Sequence, residues 1–189
     1  MNNKYYVHSS SIVDKNVTIG ENSKIWHFTH VQGGAIIGHH CTLGQSVYVG
    51  EGVNIGNYVK IQNNVSVYQG VTLEDYVFCG PSVVFTNDNN PRSKYPKNKN
   101  YISTTVKKGC TIGANSTILC GNDLGSWSLI GAGSVVTKKV KNHSIVVGNP
   151  AKHIGWICEC GNRLNDSLEC CFCQKKYHET PKGLAQTKD

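Results

Sequence analysis

The chain lacks any long apolar run. No stretch approaches the roughly 20 residues that span a bilayer. Met1 to Ser10 holds no apolar core either, so neither a membrane span nor a secretion signal is expected, and the cytoplasm is the expected compartment. Large rings are scarce as well. Four Phe and three Trp among 189 residues leave an aliphatic, narrow core. Charged residues make up only 16%, and no block of Lys or Arg exceeds two. Basic and aromatic residues do not interleave, which argues against a single-strand nucleic-acid surface. The net charge of +7 still suits an anionic partner, and a small phosphate-bearing molecule meets that need. Nine Cys without an export signal read as reduced thiols, not as a disulfide framework.

What the chain has instead is repetition. From Val7 to Phe85 an apolar residue occupies every sixth position without a miss, through Ile25, Leu43, Ile61 and Cys79. Two residues before each lies a second small or branched side chain, such as Ser23, Thr29, Ala35, Cys41, Val47 or Val65. Residues two apart share one face of a strand. Each hexad therefore reads as a short strand with two inward side chains and then a corner. Gly often follows the aliphatic residue, as at Gly20, Gly38, Gly56 and Gly80, and is expected to relax that corner. Such a period marks a parallel β-helix. Three hexads close a triangular coil, so residues 18 apart stack about 4.8 Å from each other.

The rhythm stops at Thr86 and returns at Val106. Residues 86–105 hold Pro91, Arg92, Lys94, Pro96, Lys97 and Lys99, and read as a loop thrown out of the helix. The repeat runs on through Ile112, Ile118, Leu124, Ile130 and Val136, then ends before the turn segment Gly148-Asn149-Pro150-Ala151-Lys152. The expected organisation is a β-helix domain over 1–156, a Cys-rich appendage over 157–178 and a flexible tail over 179–189. Flat strand faces on a three-sided prism favour burial between copies, and a threefold assembly is expected.

The hexad repeat, the single loop, Lys60-Ile61-Gln62-Asn63-Asn64-Val65-Ser66-Val67-Tyr68, Phe78-Cys79-Gly80-Pro81-Ser82, Phe85-Thr86-Asn87, Asn90-Pro91-Arg92 and the Pro150-Ala151-Lys152 turn together carry a resemblance. The chain resembles the left-handed β-helix acyltransferases, and within them the nucleotide-linked 3-amino-sugar N-acetyltransferases. It is most similar to those acting on UDP-2-acetamido-3-amino-2,3-dideoxyglucuronate. The resemblance implies acetyl-CoA as donor, a homotrimer with sites between subunits, and a place in surface-polysaccharide synthesis.

Attack of an amine on a thioester needs alignment and an acceptor for the proton. Gln69 and Asn87 are 18 apart and should stack at the root of the loop. The resemblance makes Asn87 the group that holds the acceptor amine, with Gln69 beside it. Its relatives usually carry an acid at the first position, which Gln cannot replace as a base. Asp88 is a carboxylate next to Asn87, and it occurs in relatives that use dTDP-linked 3-amino-3,6-dideoxyhexoses, the alternative substrate class. Capping of a turn is the competing reading for Asn87 and Asp88. His27 shares a predicted column with Gln45, Asn63 and Pro81, a polar stripe suited to a sugar nucleotide or a subunit contact. Gln62, Asn63, Asn64, Tyr68, Arg92 and His27 are the expected substrate-binding residues, Arg92 through the diphosphate. For CoA the resemblance points to backbone near Ala114 and Ala132 and to Lys152.

Cys158, Cys160, Cys170 and Cys173 offer two thiol pairs. A structural tetrathiolate zinc site is one reading. A ribbon without metal is the other, because Cys158 and Cys160 are separated by a single residue. Two further classes compete for the whole chain: a β-helix carbonic anhydrase with zinc on histidines drawn from His27, His30, His39 and His40, and a non-catalytic scaffold. His39, His40 and His143 lack a partner pattern and are expected at the surface.

Overall fold

The computed structural model describes residues 4–96 and 100–187. The hexads form a three-sided parallel β-helix, as their period predicts. One face stacks Tyr6–Val7, Lys24–Ile25, Thr42–Leu43, Lys60–Ile61, Phe78–Cys79, Thr111–Ile112, Leu129–Ile130 and Ser144–Val147. A second runs from Ile12–Val13 to Val135–Val136, and a third from Thr18–Ile19 to Thr104–Val106, extended by bridges at Leu124 and Val140. Successive coils pair 18 residues apart, as in Lys24 with Thr42, until the loop intervenes and Phe78 pairs with Thr111. Thr104 already pairs with Val71, so the third face resumes before the expected end of the loop at 105.

Every strand of the regular coils shows the same logic. The inward aliphatic side chains from Ile25 to Val136 are essentially inaccessible, and each contributes roughly 1.5–3 kcal/mol by leaving water. The small inward positions are buried too. Where they carry a hydroxyl it is satisfied locally: Ser23 Oγ donates to the Gly38 carbonyl at 2.7 Å and Thr29 Oγ1 to that of Gly44 at 3.0 Å. Val7, Val13 and Ile19, at the open N-terminal end, are only partly covered.

The glycines after the aliphatic residues have a different reason from the one expected. The left-handed backbone falls two residues further on, at positions such as Asn22, His40, Ser46, Tyr58 and Asn64. Gly20, Gly38 and Gly56 are required by the closeness of the next coil: an added Cβ would lie 2.5–2.6 Å from its atoms. The corner after the third face carries an aromatic column. His40, Tyr58 and Tyr76 stack at 4.9 Å intervals, and Trp127 continues the column across Gly109, where a Cβ would fall 2.1 Å from the indole.

Beyond the last coil the chain turns at Gly148–Ala151 and returns as Lys152–Trp156, antiparallel to Ser144–Val147. The appendage follows. The polar end expected to fray is folded: Tyr177–Thr180 and Gly183–Gln186 form a hairpin, and Leu184 is buried. Lys188 and Asp189 lie outside the described residues. The hairpin is held because Asn142 at the edge of the last coil donates its N–H to Lys182 and accepts from Leu184. No helix among the described residues is long and apolar enough to cross a membrane.

Candidate functional site

The loop leaves the corner between the second and third faces. Its root is clamped from both sides. Thr86 N–H donates to Ile118 O at 3.1 Å, Ile102 N–H to Asn87 O at 2.9 Å, and Thr104 N–H to Gly70 O at 3.0 Å. Cys120 N–H binds Thr86 Oγ1 at 3.0 Å. Asn87 is half-buried there, and its Nδ2 donates to the carbonyl of Gln69, the residue stacked beneath it, at 3.5 Å. The 18-residue spacing therefore does stack Asn87 on Gln69. Asp88 Oδ1 accepts from Asn90 N–H at 2.9 Å, the turn-capping bond that competes with a chemical role.

The same column continues downward through Glu51 and Gly33. Asp14, Gln32, Glu51 and Gln69 line a polar groove of about 630 Å³ below the loop root. Glu51 was not among the expected site residues, yet the 18-residue spacing that sets Gln69 under Asn87 sets Glu51 under Gln69. Tyr68, exposed, projects beside it with its ring 5.7 Å from that of Tyr48. Arg92 is exposed and donates from Nη1 to Pro91 O at 3.0 Å, a contact within its own turn. Lys94 lies against the Tyr95 ring at 5.7 Å. Lys97 and Lys99 lie outside the described residues.

The remaining substrate candidates sit at the other end of the second face. His27, Gln45, Asn63 and Pro81 do form one column, each carbonyl accepting from the coil above, as in Asn64 N–H to Gln45 O at 2.9 Å and Ser82 N–H to Asn63 O at 3.0 Å. Asn63 Oδ1 caps Gln45 N–H at 2.9 Å, and the His27 ring stacks on His8 at 3.5 Å. Ala114 and Ala132 prolong this column: Asn115 N–H reaches Pro81 O, and Gly133 N–H reaches Ala114 O at 2.8 Å. Gln62 and Asn64 flank it. The expected residues thus sort onto two corners of one chain, Gln69, Asn87, Asp88 and Tyr68 on one, His27, Asn63, Ala114 and Ala132 on the other. The second-face strands lie between them.

Near the C-terminal end a cavity of about 500 Å³ opens between the last coil and the returning strand. Val136, Pro150, Ala151 and Trp156 give it an apolar wall, and Lys138, Lys139, Lys141 and Lys152 rim it with positive charge. Val135 N–H to Gly148 O and Ala151 N–H to Val135 O seat this turn beside the coil that carries Ala132. Lys152 is exposed.

The four expected cysteine ligands converge, their sulfurs all within 4.8 Å of one another. Among the described residues this is the one grouping of three or more His, Cys, Asp or Glu with such proximity. The histidines do not converge. His30 pairs with Asp14 at 3.2 Å on the second face, whereas at another corner His40 stacks on Tyr58 and His39 meets the same ring edge-on. His143, expected at the surface, is buried: its Nδ1–H donates to Ile157 O at 2.9 Å and its ring meets Tyr177. That burial holds its pKa below the ordinary imidazole value. The sequence offered no sign of this, because the covering residues come from the appendage.

Comparison with known proteins agrees with the architecture. The bacterial transferase hexapeptide family (six repeats) matches residues 7–51, and the hexapeptide repeat of succinyl-transferase matches 34–69 and 104–138, leaving out the loop. The chain is 42% identical over 174 residues to a dTDP-3-amino-3,6-dideoxy-alpha-D-galactopyranose 3-N-acetyltransferase of Aneurinibacillus thermoaerophilus, covering 91% of this chain and 90% of that one. A hexapeptide-repeat acetyltransferase of Vibrio cholerae, solved with acetyl coenzyme A, matches with a TM-score of 0.55 and 26% identity over 65% of this chain and 70% of that one. A hexapeptide transferase family protein of Anaplasma phagocytophilum shares the fold, with a TM-score of 0.56 and 20% identity over 82% and 80% of the two chains.

Proposed function

The chain belongs to the hexapeptide-repeat acetyltransferases, and from that premise we propose that it moves the acetyl group of acetyl-CoA onto the 3-amino group of a dTDP-linked 3-amino-3,6-dideoxyhexose. The observation that carries the substrate is the 42% identity, over nearly the whole of both chains, to an enzyme named for that class. It favours the alternative weighed in the sequence over the UDP-linked glucuronate. Asp88 next to Asn87 supports the same choice.

In this reading Asn87, anchored on Gln69 at the clamped loop root, orients the sugar amine. Its carbonyl oxygen accepts a hydrogen bond from the nitrogen, and orientation of this kind supplies much of the rate of an acyl transfer. Asp88 takes the proton from nitrogen as the C–N bond forms and passes it to the CoA sulfur as the C–S bond breaks, so that CoA leaves as the thiol. The pantetheine arm lies along the Ala114 and Ala132 column, where small side chains let it approach the backbone. The CoA phosphates face the lysines around Lys152.

The two halves of this site stand on different corners of one chain. A closed threefold assembly resolves that, since each copy then offers His27, Gln62, Asn63, Asn64 and the alanine column to the Asn87 corner of its neighbour. Arg92 and Tyr68 on the loop side hold the nucleotide. Product of this kind suits a surface polysaccharide.

The test is thiol release from acetyl-CoA with purified dTDP- and UDP-linked 3-amino sugars side by side. Turnover with the dTDP sugar and little with the UDP sugar is expected. The reverse order would return the assignment to the glucuronate, and release with neither would reject an amino-sugar acceptor. A monomer by light scattering would reject the shared site.

A further inference from the structure

We propose that Cys158, Cys160, Cys170 and Cys173 bind zinc in a closed tetrathiolate site, and that this ion fastens the C-terminal cap onto the end of the β-helix. Zn–S bonds of about 2.3 Å in a tetrahedron set the sulfurs about 3.8 Å apart. Here Cys158 and Cys173 lie at 3.4 Å, Cys160 and Cys170 at 3.5 Å, and all four fall within 4.8 Å. All are free thiols.

The surrounding backbone is built for the purpose. Each thiol pair sits on a tight loop closed by an antiparallel bridge, Ile157 with Arg163 and Glu169 with Lys176. In the first loop Gly161 N–H donates to Cys158 O, and in the second Gln174 N–H donates to Cys170 O, both at 2.9 Å. The irregular spacing in the first pair is absorbed by Gly161, whose φ of +90° turns the chain directly after Cys160. Donors stand ready for the thiolates: Tyr177 Oη is 3.1 Å from Cys158 Sγ, and Asn162 Nδ2 is 3.4 Å from Cys160 Sγ. On binding, the four thiols release their protons to solvent and each sulfur gives an electron pair to the metal. All four positions are filled by protein, so the ion has no open site for substrate and is structural.

Energetics gives the ion its role. Apart from its cysteines, the cap buries only Ile157, Leu164, Tyr177 and Leu184 among its larger side chains. A module of about thirty residues with so little core does not ordinarily hold itself together without a cross-link or metal. Yet it docks closely. Ile157 N–H donates to His143 O at 2.8 Å, and at Gly183 an added Cβ would fall 2.4 Å from Asn142 O. The same chain segment carries Trp156 into the lysine-rimmed cavity.

The test uses the full chain, purified under reducing conditions. Elemental analysis should find zinc at one ion per chain, and cobalt exchanged into the site should give the intense thiolate charge-transfer bands of a tetrahedral centre. Cys170→Ser should lose the metal, and Cys171→Ser, altering the exposed neighbour outside the cluster, should keep it. Stripping zinc with a chelator should speed amide exchange across 157–186 by about 100-fold or more, with the coils from 25 to 85 unchanged. A metal-free native protein, iron in place of zinc, or metal loss in Cys171→Ser would overturn the site. Unchanged exchange in the cap after stripping would overturn its fastening role. None of these readouts depends on acetyl transfer.

Discussion

The coils and the cap hold their shape by different means. In the coils each rung repeats the previous one, and burial accumulates: Ile25, Leu43, Ile61 and Cys79 form a continuous inner column with no access to solvent. In the cap the buried set is Ile157, Cys158, Leu164, Cys170, Tyr177 and Leu184, and two of the six are thiols. A rung removed from the middle of a stack exposes both neighbours, whereas the cap has one small buried cluster to draw on. The contrast teaches that one chain can spread the stability of a stack over many rungs and leave its end on a small local core.

The largest expected effect tests where chemistry and stability part company. Asn87→Ala should lower turnover by about 100-fold or more, because it removes orientation of the nucleophile. The thermal midpoint should barely move, since Asn87 is half-buried at a loop root. Near-normal turnover in this variant would remove the loop root from the site.

Next comes the coil against the cap. Ile61→Ala should cost about 2–5 kcal/mol, and hydrogen exchange should rise over several neighbouring rungs. Leu184→Ala should raise exchange in 157–186 and leave the rungs alone. Equal spreading in both variants would show that the two regions form one cooperative unit.

Gly109→Ala is expected to cost roughly 1–3 kcal/mol, because φ there is +70° and the Cβ would strike the Trp127 ring. A change in the tryptophan fluorescence should accompany it. If stability is unchanged, the aromatic column contributes little.

The smallest effect belongs to the seam between coil and cap. Burial lowers the pKa of His143, so the folded protein binds that proton less readily than the unfolded chain. Its contribution to stability is complete above the ordinary imidazole pKa of about 6.5 and is lost as pH falls below it. Comparing the pH dependence of cap exchange in wild type and His143→Gln, with metal content monitored, checks the sign. A steeper loss in the variant would contradict it.

Much of this was legible in the residues. The hexads predict the coil, the 18-residue register and the stacking of Asn87 on Gln69, and the four ligand-type cysteines stand out in the appendage. The reason for the glycines was not legible, because it is a distance between backbones on successive coils. Nor was the burial of His143, which is covered by a hairpin that polar composition had marked as a loose tail. Glu51 was open to the same spacing argument as Gln69, but no motif draws attention to it.

By itself the sequence determined the period, and with it the three faces, the inner columns and the point where the loop departs, since alternation along a strand and the return after three hexads are local geometry. Only the tertiary structure decided how Ala114 and Ala132 continue the His27 column past the loop, how four spaced thiols meet, and what closes the end of the stack. Those outcomes depend on contacts between segments far apart in the chain, which no local pattern encodes.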